Sequence, residues 1–546
     1  MTAAFDWDAH AANMRSKGWW IDHTVDSMFS EQATLRPDKD AIVEYRADGA
    51  PGEATRRLTY SALNDVTGKA AAALQAMGVG PRDIVSVQLP NWWQFVVMVL
   101  ACGRLGAVIN PLMPILREYE LKYMLGHSGS KVLVVPKVFR GFDYEEMAEG
   151  LQAELPSLKN IVVVGGDGEN AFDRALLGGA ESLPAPAPSA PGPVSPDEFS
   201  VLAFTSGTTG QPKGVMHCNN SVIATVRTIA GQLGHSHETV LLGCSPLGHM
   251  TGYVVLVQGL HMGGTIVLQD IWNADEAVRI MVREGVTHVG AAPVFLNDTC
   301  IAAAKLTGAK PKLRTWICSG APIPPALIER AWNELGFPVS SLWGMTECLT
   351  GTLTAPEVGR EKSAATDGCA VPGMEIRIVD DGGNELPPHA VGRLQARGLT
   401  NFMGYYKRPD VIAFDENGWL DSGDLAFKFE DGYIRIAGRT KDVIIRGGEN
   451  IPVVEIENLI FAHPSVTAVA LVGYPDERLG ERACAYVTVK PGEAFDLPLL
   501  RDYMAGAKVA KQFWPERVEV LDEMPRTASG KIQKFDLRDR AKAFAS

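Results

Sequence analysis

Short runs of aliphatic and β-branched residues alternate with helix-like segments along most of this chain, and this alternation constrains its fold more than any other feature. The amphipathic stretch ALNDVTGKAAAALQAMGVG (62–80) is stopped by Gly78 and Gly80 and followed by the strand-like DIVSVQLP (83–90). SKVLVVP (130–136) and KNIVVVGG (159–166) are further runs of the kind expected in buried strands. The pattern resumes with TIVLQ (265–269), VTHVGAAP (286–293), LRTWICSG (313–320) and PVSSLWG (338–344). Strands separated by helices pair in parallel, so the predicted class is α/β with layered, largely parallel sheets.

The chain changes texture twice. After about residue 380 it becomes β- and glycine-rich (EIRIVDDGG, GRLQARG, GYIRIAGR), which predicts a β-rich subdomain. From about 440 a small α+β unit is expected, with helices at 453–462 and near 498–511 around the strands TAVALVGYP and ACAYVTVK. The division is therefore 1–439 for a large N-terminal domain and 440–546 for a small C-terminal one; 546 residues are too many for one core. SLPAPAPSAPGPVSPD (182–197) reads as an extended surface linker between two subdomains.

Several function classes are excluded. A net charge of −13 argues against a nucleic-acid-binding face, which needs basic residues. The apolar stretch WWQFVVMVLACGRLGAVI (92–109) is interrupted by Arg104 and two glycines, too soon to span a bilayer, and reads as a buried helix. Acidic residues stand in the first 20 residues where a signal peptide carries basic ones, so a cytoplasmic protein is expected. The eight cysteines include no C-x-x-C pair and suit buried, reduced thiols rather than a metal site.

Six short stretches are odd for ordinary turns. TSGTTGQPKGV (205–215) puts hydroxyls, glycines and Lys213 behind an apolar run, a composition suited to phosphate oxygens; Pro212 before Lys213 excludes a Walker loop. ICSGAPIP (317–324) places small residues where a flat ring could lie against backbone, and LWGMTE (342–347) gathers an aromatic, a hydroxyl and a carboxylate. GWLDSGDLA (418–426) offers Asp424, GRTKDVIIRGGENI (438–451) offers Arg439 and Lys441, and PRTASGKIQK (525–534) presents Lys531. Each alone could be a solvated turn.

In this order they resemble the adenylate-forming superfamily, which includes acyl-CoA synthetases, luciferases and the adenylation domains of peptide synthetases. The resemblance runs from about residue 25 to about 540 and is most like bacterial coenzyme A ligases for medium-chain, alicyclic or aromatic acids. Two departures are mild: Trp343 stands where tyrosine is usual and Ser422 where threonine is usual.

The resemblance implies ATP, Mg²⁺ and coenzyme A as reactants or cofactor, and a carboxylic acid activated as acyl-AMP before thioester formation. It implies that Thr205, Ser206, Gly207, Thr208 and Thr209 cradle the β- and γ-phosphates with Lys213, that Thr346 meets the α-phosphate, and that Glu347 holds Mg²⁺. Adenine would stack on Trp343, beside Gly344 and Ser319–Gly320–Ala321; Asp424 would accept from the ribose hydroxyls, with Arg439 nearby. Lys531 would bridge the carboxylate and the transferring phosphate. A rotation about Lys441 would then replace it with Gly447 and Gly448, lining the pantetheine path. The acid pocket would be drawn from Ser245, Met250, Leu342 and Leu349, with His249 as a gating ring.

No lysine or arginine occurs in those pocket segments, and no aspartate stands at Met250 to hold an amino acid's ammonium. An uncharged hydrophobic acid is therefore favoured. Loading of a carrier protein and non-catalytic nucleotide binding are the rival readings; G-x-S-x-G and G-x-G-x-x-G are absent, against hydrolase and dinucleotide chemistry. Pro525 and Gly530–Lys531 also resemble the segment that protein acetyltransferases recognise in bacterial acyl-CoA synthetases. Acetylation of Lys531, reversed by a deacetylase, would switch adenylation off. The oligomeric state is left open.

Overall fold

The computed structural model describes residues 5–50, 52–178, 195–205, 211–411, 413–446, 449–527 and 529–544. Most of the 182–197 linker, Ser206 to Thr209, and Gly447 and Gly448 lie outside them. The expected alternation builds two sheets. One has six strands in the order Lys213–Cys218, Phe199–Thr205, Val108–Pro111, Ile84–Val87, Val132–Pro136, Asn160–Val164. It is parallel except for its first pair. The other has nine, with Val339–Trp343, Thr315–Ser319, His288–Ala291, Val240–Gly243, Thr265–Gln269 and Asp40–Tyr45 forming a parallel centre. Short antiparallel strands close both of its edges.

Helices cover these sheets because their apolar residues must leave water. The helix Trp93–Leu105 is the clearest case: nearly every side chain is buried, and Gly106, at φ 66°, stops it in a left-handed cap. It lies inside a cluster with Phe29, Leu63, Leu100 and Leu260, so the apolar run is core, as expected. Burial of each such aliphatic or aromatic side chain stabilises the fold by about 1.5–3 kcal/mol.

The β-rich texture folds as an antiparallel meander of four strands, Met374–Val379, Gly392–Gly398, Leu420–Lys428 and Ile434–Arg439. The chain then makes a single 3₁₀ turn, Thr440–Asp442, and enters a different, five-stranded sheet at Ile444. That sheet pairs Val466–Asp476 with Gly480–Val489 and carries two cores of its own, around Ile456 and Leu500 and around Val472 and Leu537. The expected helix near 498–511 is shorter, Leu497–Gly506. Lys508 takes φ 57° and ends the helical run. All eight cysteines are free, and only Cys369 is partly exposed.

Candidate functional site

The inner strands of the nine-stranded sheet end together, and two of the odd stretches, 317–324 and 342–347, sit just beyond those ends. Gly243 leads into Ser245, Ser319 into Gly320 and Ala321, and Trp343 into Gly344 through Glu347. Open parallel sheets bind ligands in the crevice outside the carboxyl ends of their strands, so this is where a small-molecule site belongs. Gly344 is needed there sterically: a Cβ on it would lie 2.0 Å from the Leu349 carbonyl oxygen.

The phosphate-type stretch is framed by a hairpin, not by a strand leading into a helix. Phe199–Thr205 runs antiparallel to Lys213–Cys218, with Thr205 opposite Lys213. Residues 403–406 lie along the far side of the second strand, so that Tyr406 N–H donates to Gly214 O and Met216 N–H to Gly404 O. This places the Lys213 ammonium 4.3 Å from the centre of the Tyr405 ring. The Tyr405 hydroxyl donates to Glu347 Oε1 at 2.9 Å. One tyrosine thus stands between the cation and the carboxylate, its ring toward Lys213 and its hydroxyl on Glu347.

Thr346 is fixed through its backbone. His217 Nε2 lies 2.7 Å from the Thr346 carbonyl oxygen, and because that oxygen can only accept, Nε2 carries the proton. His217 Nδ1 then faces the Ser221 hydroxyl at 3.1 Å. Burial pushes this imidazole down to about 4, so it is neutral.

Asp424 is held on both carboxylate oxygens. The Trp343 indole N–H donates to Oδ2 at 2.9 Å and Arg439 Nε to Oδ1 at 2.8 Å. Ser422 accepts from the Asp424 N–H at 3.1 Å and donates to Leu394 O at 2.8 Å. Serine therefore fulfils the hydroxyl role expected at that position, and the aromatic and the carboxylate motifs meet directly.

Lys531 reaches this cluster from a loop of the C-terminal unit, between the strand Arg517–Val520 and the helix Lys534–Ala541. Its side chain lies against Gly320, where a Cβ would be 3.5 Å from Lys531 Cε. Burial and the nearby Arg439 lower its pKa, while Asp424 and Glu347 pull the other way. Its loop is closed by its own bonds: Arg526 donates to Gly530 O at 2.8 Å, and the Lys531 N–H to Thr527 Oγ1 at 3.1 Å. Lys441, in the connecting turn, is exposed beside Asp442, which pairs with Arg538 at 2.8 Å.

The residues expected to line the acid pocket divide between two clusters. Met250 and Leu349 share a cluster with Leu247 and Tyr253, whereas Leu342 is partly exposed and packs on the cluster containing Trp343. Ser245 is buried and donates to Gly290 O at 3.1 Å. His249 caps the helix Met250–Met262 by accepting from the Thr251 N–H at 3.2 Å. Burial and the Lys531 charge push its ring down to about 3, so it stands neutral.

Tyr405 and His217 escaped the sequence reading. Tyr405 lies in NFMGYYKRPD, about 60 residues after Glu347, and His217 lies just beyond the glycine-rich stretch. The HCNN (217–220) that ends the strand was the only available sign of the latter. Among the described residues no cluster of three or more metal-ligating side chains occurs. A single carboxylate nonetheless suits Mg²⁺, which takes one or two protein carboxylates and completes its shell with phosphate and water. Glu347 is buried, with one oxygen engaged by Tyr405.

Comparison with known proteins finds relatives along nearly the whole chain. The chain is 35% identical over 544 residues to a medium-chain fatty-acid–CoA ligase of Escherichia coli K12, covering 98% of this chain and 94% of that one. It is 32% identical to a salicyl-AMP ligase / salicyl-S-ArCP synthetase of Mycobacterium tuberculosis, covering 96% and 92%. The fold matches the crystal structure of ATP-bound MatB from Rhodopseudomonas palustris with a TM-score of 0.81 at 26% identity, covering 96% of this chain and 100% of that one. The AMP-binding enzyme family matches residues 29–406 and its C-terminal domain residues 455–531, and the chain belongs to this family.

Proposed function

We propose that this protein is an ATP-dependent carboxylic acid–CoA ligase acting on an uncharged hydrophobic acid. The observation that carries the proposal is the seating of Lys531 against Gly320, facing Asp424, Glu347 and Arg439. A buried ammonium delivered from a second unit to a pair of carboxylates and a guanidinium suits a reaction in which negative charge is transferred. A carboxylate oxygen attacks the α-phosphorus of ATP and pyrophosphate departs; the thiol of coenzyme A then attacks the acyl carbon and AMP departs. The enzyme contributes positioning and charge stabilisation rather than a covalent nucleophile.

In this reading Lys531 neutralises the attacking carboxylate and the α-phosphate. The backbone-fixed Thr346 orients the α-phosphate, and Lys213 with the 205–209 segment holds the outer phosphates. Trp343 offers its ring to adenine beside Ser319–Ala321, and Asp424 accepts from the ribose. Mg²⁺ on Glu347 would supply charge neutralisation at the phosphates. Neutral His249 and apolar Met250 and Leu349 suit an acid without a charged tail. The units 1–439 and 440–546 would move about Lys441, bringing the Gly447–Gly448 face to the site for thioester formation. Removal of the Lys531 charge by an acetyltransferase, restored by a deacetylase, belongs to the same proposal; here the lysine faces the site, so the modifying enzyme would act on the other arrangement.

The test is a panel of carboxylic acids with ATP and free coenzyme A, read by mass spectrometry for acyl-CoA. Turnover of uncharged acids of about six to ten carbons is expected, since the residues proposed to line the pocket are mainly apolar. Preference for an α-amino acid, or release of acyl-AMP with no thioester, would overturn the reading. The likeness to a salicyl-S-ArCP synthetase supports a second reading, transfer to a carrier protein, and thioester on a phosphopantetheinylated carrier but not on coenzyme A would favour it.

A further inference from the structure

Asn91, in the loop between the strand Ile84–Val87 and the helix Trp93–Leu105, lies outside every motif described so far and is buried at 4% exposure. Its side chain is fully engaged. Nδ2 donates to Gly243 O at 3.0 Å, Ser245 O at 3.1 Å and Gln269 O at 3.2 Å, and Oδ1 accepts from the Leu247 N–H at 2.9 Å. Three carbonyls around one atom and an N–H at the other leave a single chemically sensible orientation of the amide. One side chain from the six-stranded sheet thus grips the ends of two strands of the nine-stranded sheet.

The residues it grips lead into the acid-pocket segment. Gly243, Ser245 and Leu247 precede His249 and Met250 directly. The same segment is also packed closely by a second loop, since a Cβ at Gly248 would lie 2.4 Å from the Leu112 carbonyl oxygen. Gln88, three residues before Asn91, holds that neighbouring loop by donating to Met113 O at 3.1 Å and Leu116 O at 2.9 Å. Two buried amides on one loop therefore fix two other loops that touch each other at Gly248.

We infer that Asn91 is a positioning residue for acid recognition: it sets the path of residues 243–248 and, through them, the shape of the pocket that measures the carboxylic acid. The inference rests on the proposed ligase function and on the assignment of Ser245, His249 and Met250 to the pocket. Asn91 itself touches no reacting atom. No other common side chain of this size offers two donors and an acceptor together, and aspartate would set a carboxylate against three carbonyl oxygens.

The test compares Asn91→Ala and Asn91→Asp in the full-length enzyme by pyrophosphate release with hexanoate, decanoate and benzoate. The KM for the acid should rise about tenfold or more, while the KM for ATP stays within about twofold, because three of the four lost bonds support the acid segment and none goes to a residue proposed to hold ATP. The hexanoate-to-decanoate ratio of kcat/KM should change by at least about threefold, and Asn91→Asp should be the worse variant. Acid and ATP KM values rising together, or neither moving, would overturn the inference. Met250→Trp is the control for the pocket: if it leaves the acid preference unaltered, the pocket assignment fails; if it alters the preference and Asn91→Ala does not, Asn91 alone is misassigned. Should Asn91→Ala not fold, Asn91→Ser takes its place, with amide hydrogen exchange over 243–249 as the readout. Faster exchange there with unchanged exchange in 315–319 is expected, and uniform or unchanged exchange would count against it.

Discussion

Two parts of the site are built in opposite ways. In the N-terminal unit each candidate-site residue is held by a neighbour: Thr346 through His217 and Glu347 through Tyr405 beyond the strand Val339–Trp343, and Asp424, in the strand Leu420–Lys428, by Trp343, Ser422 and Arg439. Lys531 comes from the other unit on a loop that bonds to itself, and among the described residues its ammonium has no hydrogen-bond partner. The first arrangement is preorganised, so little ordering is needed when a nucleotide enters. The second is supplied from another core, and among the described residues Asp424 and Glu347 favour its charge without a hydrogen bond. The contrast teaches that a hydrogen-bonded cradle and a charge from a separate core can share one site.

The comparison can be broken most severely at the delivered charge. Lys531→Ala should reduce acyl-AMP formation by about 10²–10³-fold, the range for loss of one stabilising donor. Thioester formation from supplied acyl-AMP should persist. Rapid-quench assays of the two half-reactions decide it, and equal loss in both would mean that the lysine is a fixed part of the site.

A smaller effect is expected in the cradle. Tyr405→Phe keeps the ring beneath Lys213 but removes the hydroxyl on Glu347, a charge-assisted bond worth about 1.5–3 kcal/mol. Adenylation should fall by about ten- to a hundredfold, with a raised Mg²⁺ requirement in a titration of pyrophosphate release. A normal Mg²⁺ requirement would show that Glu347 is held without the tyrosine.

Alkaline pH should separate the halves more gently. Burial and Arg439 lower the Lys531 pKa, and only the protonated form carries the useful charge. Adenylation should therefore decline as pH rises through a value below that of an ordinary lysine, and thioester formation from supplied acyl-AMP should lack this decline. A pH–rate profile of each half-reaction tests it, and Lys531→Ala should abolish the difference.

Acid should act mainly on the larger unit, and mildly. Burial holds His10, His217, His261 and His288 down to about 4, whereas the segment 440–546 contains only His463. An imidazole kept neutral by the fold takes up its proton first in the unfolded chain. Stability is accordingly lost as pH falls from the ordinary histidine range, about 6.5, toward the folded value near 4. Hydrogen exchange at pH 7 and pH 5 should show loosening in the 213–291 region ahead of the 466–489 sheet. The reverse order would contradict the assignment of acid sensitivity to these histidines.

Much of this was legible in the chain. The continuous aliphatic and β-branched runs and their intervening helices pointed to the parallel sheets, because strands separated by helices are covered on both faces and carry apolar residues at successive positions. Motif order pointed to Glu347, Asp424, Arg439 and Lys531, whose chemistry is local enough to show in four or five residues. Asn91, His217 and Tyr405 were not legible. Each works through a partner with no sequence signature: a carbonyl offered by the Gly243–Gln269 strand ends, the Thr346 carbonyl, and a glutamate some 60 residues away.

By itself, then, the sequence determined which side chains are available and which elements carry them, since propensity, periodicity and glycine stops act over a few residues. Only the tertiary structure decided which of them meet. Backbone carbonyls are present at every residue and distinguish nothing until the chain is folded. Packing alone brings His217 beneath Thr346, sets Tyr405 between Lys213 and Glu347, and carries Lys531 from a separate core to Gly320.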